Sequence, residues 1–491
     1  GGGSISSNAF RPDPHTMAAG PHAPCPIHRH AQARPTALAL WTPDRRWTYA
    51  ELDAAVAATG RHLRERGWAD GARVALRLPR GPALVMLLWA LWREGAVAVP
   101  ISTRLPDAEA WRATNRLHAR GLVTRNREAL SEEDGGADAV PPESLVVRDV
   151  TGSAASTPRP IRRRATILFT SGSTGHPTAV LHSWASHLYS AKGANANVPL
   201  QAGDRWLLSL PLYHVGGLAI LVRCALVGAA VAVPDRDASI AKAAAPTGAT
   251  HLSLVPTQLR RLLDARQGRA PGRVRAVLVG GGPIPSGLLR RGADRGWPLH
   301  TSYGSTEMAS QITTTSPGAS LTDLQTAGRR LPHRRVRIAE EGHIFVAGPP
   351  LCMGLIEGGT LRDPREDGWY PTGDVGHFDA QGRLHVQGRV DRQFVSGGEN
   401  IQPEAIERAL EQIDDIERAV VVAVPHETYG HRPVAFVRAQ GPLRPEAWRR
   451  TVSTSLPKFK LPDAIHALPD AAVDDSLKVD HEALRQRARR E

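Results

Sequence analysis

Beginning at "WTYAELDAAVAATGRHLRERG", segments of helical period alternate with short apolar or β-branched runs, and no other feature of the chain restricts its fold so tightly. The runs are "RVALRL", "AVAVPIS", "ATILFT", "WLLSL", "HLSLV" and "VRAVLVGG". Strands this short and apolar are largely buried, and the helices between them supply the cover, so the pattern predicts an α/β architecture. At 491 residues the chain is too long for one ordinary core and calls for two or more domains. No repeat of fixed period is visible. Residues 131–164 are charged and rich in Pro, Gly and Ser, which predicts surface loops ahead of a strand at Ala165.

A second shift in composition follows "GRLHVQGRVDRQFVSGGENIQPEAIERALEQI". Pro403 and Glu404 form a good helix start, with proline at the first position and an acid in the first turn. Beyond them "RAVVVAVP" and "PVAFVRA" read as strands and "HEALRQRARR" as a closing helix. The expectation is a large, multi-subdomain N-terminal α/β domain over 17–388 and a small, mobile C-terminal α+β domain over 389–491, with the boundary near Gly388 to Asp391. Residues 1–16, which precede Met17, are expected to be disordered or appended sequence, and lack the apolar core of a signal peptide.

The formal charge of +13 raises the question of nucleic acid. The answer is negative: lysine occurs only at Lys192, Lys242, Lys458, Lys460 and Lys478, the arginines are scattered, and the few aromatics are not interleaved with them as a stacking platform requires. Cys25, Cys224 and Cys352 are widely spaced and form no CxxC pair, which argues against a disulfide framework or a zinc site and favours a reducing cytoplasm. Every long apolar run is interrupted well short of a membrane span.

The chemistry-bearing stretch is "TILFTSGSTGHPTAVLHS", Thr166 to Ser183. An apolar strand runs into a loop of glycines and hydroxyls. Such a loop is either a flexible linker or an anion cradle, in which backbone N–H groups and Ser/Thr hydroxyls point at phosphate oxygens. It is not a Walker loop, because the Lys-Ser/Thr ending is missing. Further along come "GGGP" at Gly280 to Pro283, "SYGSTE" at Ser302 to Glu307, "YPTGD" at Tyr370 to Asp374 and "GRVDRQFVSGGEN". Each alone reads as an ordinary turn. Their order and spacing together are another matter.

As a set they resemble the adenylate-forming superfamily of acyl-CoA synthetases, peptide-synthetase adenylation domains and luciferases, from about residue 40 to the end. The resemblance implies ATP, magnesium and CoA as reactants. It implies that Thr170, Ser171, Gly172, Ser173, Thr174 and Gly175 hold the β- and γ-phosphates, and that adenine lies against Gly281 and Gly282. Tyr303 would stack on the base, Thr306 contact the α-phosphate and Glu307 coordinate magnesium. Asp374 and Arg389 would bind the ribose. Lys478, unless it is merely a solvated surface lysine, would bridge carboxylate and α-phosphate during adenylation. Asp391 would be the hinge that swings Ser396, Gly397 and Gly398 to the site for thioester formation. One position departs from the family pattern: Thr178 stands where its phosphate loop carries lysine, so pyrophosphate contacts should be weaker.

"WLLSLPLYHVGGLAILVRCAL", "YGSTEMASQITT" and "SGGENIQPEAIE" resemble one branch more closely, the ligases that join 2-succinylbenzoate to CoA in menaquinone synthesis. Arg223 lies in an otherwise apolar run, and a buried arginine needs a partner because desolvating it costs several kcal/mol. Its partner is either the aromatic carboxylate of such an acid or a structural acid of the protein. His214 either lines the acyl or pantetheine passage or is a packed, hydrogen-bonded histidine. Thr257, Gln258, Ser302 and Gln311 are pocket polar groups on likeness alone. Other readings are another aromatic or medium-chain acid, or a non-catalytic acyl-adenylate binder; self-association is left open.

Overall fold

Four larger β-sheets organise the described residues, which are 21–126, 137–148, 150, 156–171, 177–469 and 479–490 of a computed structural model. The first has eight strands, in the order Thr360–Arg362, Gly354–Glu357, Pro177–Ser183, Arg164–Ser171, Val97–Pro100, Arg73–Arg77, Gly121–Thr124 and Asp138–Val140. From Arg164–Ser171 onward neighbours run parallel. The second has nine strands, and its centre, Leu299–Ser305, Ala276–Val279, His251–Leu254, Arg205–Leu207 and Ala230–Ala232, is parallel throughout. Every run named from the sequence is a strand. The architecture is α/β.

Between these two sheets lie the helices Tyr49–Glu65, Pro82–Arg93, Trp184–Asn197 and Val215–Val227, whose apolar residues merge with both sheets in one core. Pro82–Arg93 is buried from Ala83 to its end, as expected of a helix apolar all round. Its one charge, Arg93, is paired with the buried Asp53. The helices Pro256–Ala265 and Ser286–Asp294 cover the outer face of the nine-stranded sheet.

A four-stranded antiparallel sheet follows, Arg335–Ile338, His343–Ala347, Tyr370–Phe378 and Leu384–Arg389. The last sheet contains Phe394–Ser396, Glu399–Ile401, Ile416–His426, Gly430–Ala439 and Ala464–Ala467. Sheet membership therefore changes across the single 3-10 turn Val390–Arg392.

One expectation is corrected. Residues 131–164 are not loop throughout: Asp138–Val140 extends the first sheet as a parallel edge strand, and Arg159–Pro160 pairs with His22–Ala23. Runs of two or three residues carry no periodicity, and backbone pairing to a neighbour alone fixes them. The following strand also starts one residue earlier than expected, at Arg164.

The helix Tyr49–Glu65 begins with a capping box, in which Thr48 Oγ1 accepts from Glu51 N at 3.2 Å and Thr48 N donates to Glu51 Oε2 at 2.7 Å. Thr48→Ala should lower unfolding stability by about 1 kcal/mol, read as a lower urea midpoint with unchanged slope.

Candidate active site

The loops that follow the carboxyl ends of the central strands of the nine-stranded sheet open on a cleft of about 2710 Å³. Ligands of open α/β sheets bind at such strand ends. After Arg205–Leu207 the chain contributes His214, after His251–Leu254 it contributes Thr257, and after Ala276–Val279 it contributes Gly280 to Pro283. Ser302, Tyr303, Thr306 and Glu307 come from the end of Leu299–Ser305 and its turn. The facing wall holds Asp374, Arg389 and Asp391, then Glu404, Glu407 and the segment opening at Val479.

The turn after Tyr303 is tightly built. Leu299–Ser305 pairs with Ser310–Thr314 across a register shift at Tyr303/Gly304, and a Cβ on Gly304 would stand 2.2 Å from the Ser310 carbonyl oxygen. Ala309 and Ser310 hold φ of 51° and 121°, left-handed values that few side chains adopt without strain. That rigidity presents Tyr303 and Glu307 to the cleft. The Tyr303 hydroxyl donates to Asp374 Oδ2 at 2.6 Å, while Asp374 Oδ1 accepts from Arg389 Nη1 at 3.4 Å. Burial pushes the Asp374 carboxyl above its ordinary range, and burial together with Asp374 pushes the Tyr303 phenol up. Burial, and next the nearby Glu307 carboxylate, push the Tyr370 phenol up, a neighbour of Glu307 that the sequence does not announce.

Arg223 sits on the helix Val215–Val227, 2% exposed, at the floor of the cleft. Its protein partners are amides and carbonyls. Its Nε donates to Asn195 Oδ1 at 2.7 Å, its Nη1 to Gln311 Oε1 at 3.1 Å, and its Nη2 to the carbonyls of Val198 and Ala194 at 3.2 and 3.4 Å. The guanidinium lies 4.2 Å from the ring centroid of Trp206. The carbonyls close the C-terminus of the helix Trp184–Asn197, so a helix dipole takes the place of a counter-ion. Among the described residues no structural acid pairs with Arg223, which corrects that alternative. Burial pushes its pKa down.

The remaining expectations divide. Thr170 and Thr178 line the cleft on paired strands, Thr170 Oγ1 donating to the Thr178 carbonyl at 3.4 Å. Gly281 holds φ +87° with Val255 Cγ1 3.3 Å from where a Cβ would stand, whereas a Cβ on Gly282 would meet nothing within 4 Å, which leaves room above the strand end. His214 is the N-cap residue of the helix bearing Arg223, with its ring 4.7 Å from Tyr213. Ser302 Oγ donates to the Val279 carbonyl at 3.4 Å, and Gln258 is used structurally, its Oε1 accepting from Val255 N at 3.1 Å. Gln311 serves Arg223 as an acceptor. Asp391 is gripped by Arg389 at 2.9 and 3.1 Å. Ser396, Gly397 and Gly398 form a turn away from the cleft lining. Gly172, Ser173, Thr174, Gly175 and Lys478 lie outside the described residues, as does the side chain of Ser171.

The profile of the AMP-binding enzyme family matches residues 27–357, and that of the AMP-binding enzyme C-terminal domain matches residues 405–474. The chain belongs to the AMP-binding enzyme family. Within that family it is similar to the 2-succinylbenzoate-CoA ligase of Bacillus licheniformis, with 32% identity over 90% of this chain and 95% of the relative. It is also similar to the solved o-succinylbenzoate CoA synthetase, MenE, of Bacillus subtilis. The complex of that enzyme with the acyl-adenylate intermediate OSB-AMP superposes with a TM-score of 0.86 at 28% identity, over 95% of this chain and 98% of the other. Its complex with ATP and magnesium gives 0.85 at 28% identity, over 94% and 100%.

If the ribose of AMP lies on Asp374, as the resemblance implies, the state of that carboxyl matters, because ionisation frees both oxygens to accept from hydroxyls. Its folded pKa is raised, so its contribution to stability is largest below the unfolded carboxyl pKa and declines as pH rises through the folded value. Ligand affinity runs the other way. AMP binding, measured by calorimetry, should weaken on acidification at a pH above the ordinary carboxylate range; Asp374→Asn should flatten that limb and weaken binding at neutral pH by about tenfold.

Proposed function

We propose that the protein is an AMP-forming acid-thiol ligase that joins 2-succinylbenzoate to CoA, through an acyl-adenylate, in menaquinone synthesis. The observation that carries the choice of acid is Arg223, a buried cation at the cleft floor matched by dipoles and, among the described residues, by no acid side chain. 2-Succinylbenzoate has two carboxylates. The succinyl one is activated, and the aromatic one survives and meets Arg223 while Ala219, Ile220 and their apolar neighbours cover the ring.

In the first half-reaction the succinyl carboxylate attacks the α-phosphorus of ATP, and the bond to the β-phosphate oxygen breaks to release pyrophosphate. Thr306 contacts the α-phosphate. Lys478 bridges it to the incoming carboxylate, so that two anions meet under a positive charge. Tyr303 packs on adenine, Asp374 and Arg389 hold the ribose, and the amides and hydroxyls of Thr170 to Gly175 hold the leaving phosphates. Glu307 suits magnesium: its carboxylate is a hard donor on the cleft wall, and no cluster of three ligating side chains stands among the described residues, so phosphate oxygens would complete the shell. When bound, the ion offsets phosphate charge. Thr178 brings a hydroxyl and no charge, which raises the ATP requirement without touching the α-phosphate.

In the second half-reaction the CoA thiol attacks the acyl carbon and AMP leaves. We assign the pivot to Asp391 and the incoming face to Ser396, Gly397 and Gly398, which stand off the cleft in the arrangement described. His214 lines the passage for the thiol. No helix among the described residues is long and apolar enough to cross a membrane, and unpaired Cys25, Cys224 and Cys352 favour the cytoplasm.

A panel of acids read by pyrophosphate release tests the substrate. The dicarboxylate should be preferred, and a preference for benzoate or octanoate would refute the assignment. Lys478→Ala should abolish adenylation while sparing thioester formation from supplied acyl-adenylate. Equal loss in both steps would remove the lysine from its role.

A further inference from the structure

Behind Arg223 lies a second buried guanidinium that no site residue above accounts for. Arg334 is 3% exposed, follows His333, whose φ of 68° is left-handed, and turns its fork into the molecule. Its Nη1 donates to the Pro332 carbonyl at 2.8 Å and Nη2 to the Ser190 carbonyl at 2.8 Å. Its Nε donates to the backbone carbonyl of Gln311 at 2.9 Å, the residue whose side-chain oxygen accepts from Arg223. The space for it is reserved: a Cβ on Gly193 would stand 2.0 Å from Arg334 Nη1.

Gln311 thus stands between two cations, one on each of its oxygens. All the acceptors named are neutral, and among the described residues neither arginine forms an ion pair. Fixing carbonyls alone would not call for a second charge, since burying one without a counter-ion is costly. A charge behind the cleft floor, screened by protein instead of water, acts on whatever occupies the cleft more strongly than a solvated one. The two cations also repel, and Arg334 lowers the pKa of Arg223. An anion entering the cleft relieves both.

We propose that Arg334 is a specificity-determining positioning residue, which orients Arg223 through Gln311 and adds a second positive charge behind it, so that the cleft selects acids bearing a carboxylate besides the one activated. The inference rests on the ligase reading above. Arg334 itself does not line the cleft and touches no substrate.

The test compares two acids that differ only in the ring carboxylate, 2-succinylbenzoate and 4-oxo-4-phenylbutanoate, by kcat/KM for pyrophosphate release and by KM for ATP. Arg334→Met should lower kcat/KM for the diacid about tenfold, through KM, and leave the monoacid within about twofold. Arg334→Lys, which keeps the charge, should recover a large part of the preference. Gln311→Glu sets an anion between the guanidiniums with little change of shape, and should cost the diacid a similar factor even if Arg334→Met fails to fold. An unchanged ratio of the two acids in Gln311→Glu or in folded Arg334→Met, an equal fall for both acids, or no recovery with lysine would overturn the proposal. A wild-type enzyme that makes no thioester from the diacid sinks the ligase reading itself, whereas a wild type that prefers the diacid beside variants that keep the preference sinks this inference alone.

Discussion

A guanidinium withdrawn from water must be matched by charge or by dipoles, and at the floor of this cleft Arg223 is matched by dipoles alone. Its acceptors come from the end of the helix Trp184–Asn197 and from the strand Ser310–Thr314, and its face lies on Trp206 of Arg205–Leu207. One side chain therefore fixes the relative placement of a helix and two strands, of which Ser310–Thr314 closes the turn after Tyr303. Because the acceptors are neutral, the charge is held in place without being cancelled. On the proposed reading, a second carboxylate of the acid would add its interaction with that charge, and the binding free energy would become selectivity for a dianion.

The opposite end of the cleft uses the reverse economy. Asp374 is buried against Tyr303 and Arg389, and its carboxyl is held by one neutral donor at 2.6 Å and one cation at 3.4 Å. The bond from Tyr303 ties the nine-stranded sheet to the four-stranded one. On the proposed reading, a nucleotide held by Tyr303 and Asp374 would touch both sheets at once.

Much of this was legible in the sequence, for identifiable reasons. The central strands are apolar on both faces, and burial writes itself into composition. The edge strands Asp138–Val140 and Arg159–Pro160 are fixed by backbone pairing, which leaves no pattern. A lone charge in the apolar run around Arg223 announced that an anion or a compensating group was needed, but not which. Asn195 and Gln311 are 28 and 88 residues away from it, and an amide side chain gives no hint of its partner. Glu404 shows the same limit. Its sequence position makes it a favourable acid in the first turn of Pro403–Glu411, yet its carboxylate also accepts from Arg392 at 2.8 Å and from Gln402 at 2.6 Å.

Those last contacts bear on how one cleft serves two half-reactions. Arg389 ends the strand Leu384–Arg389, whereas Arg392 is anchored to Glu404 and Glu407 of the next helix. Between the two anchors stand Val390 and Asp391 alone, so a rotation of the last sheet against the rest falls on their torsions. Gly388 is packed closely against the next segment, where a larger residue would run into Gln402 and Glu404. The contacts such a rotation would break include Arg260 to the Glu417 carbonyl at 3.0 Å and Arg408 to the Gln387 carbonyl at 2.9 Å, both polar and the first part-buried. Such bonds exchange for water at little cost. If the proposed pivot lies there, its shortness would favour discrete rotation over gradual bending; in this structure Val479 lines the cleft and the turn Ser396 to Gly398 stands outside it.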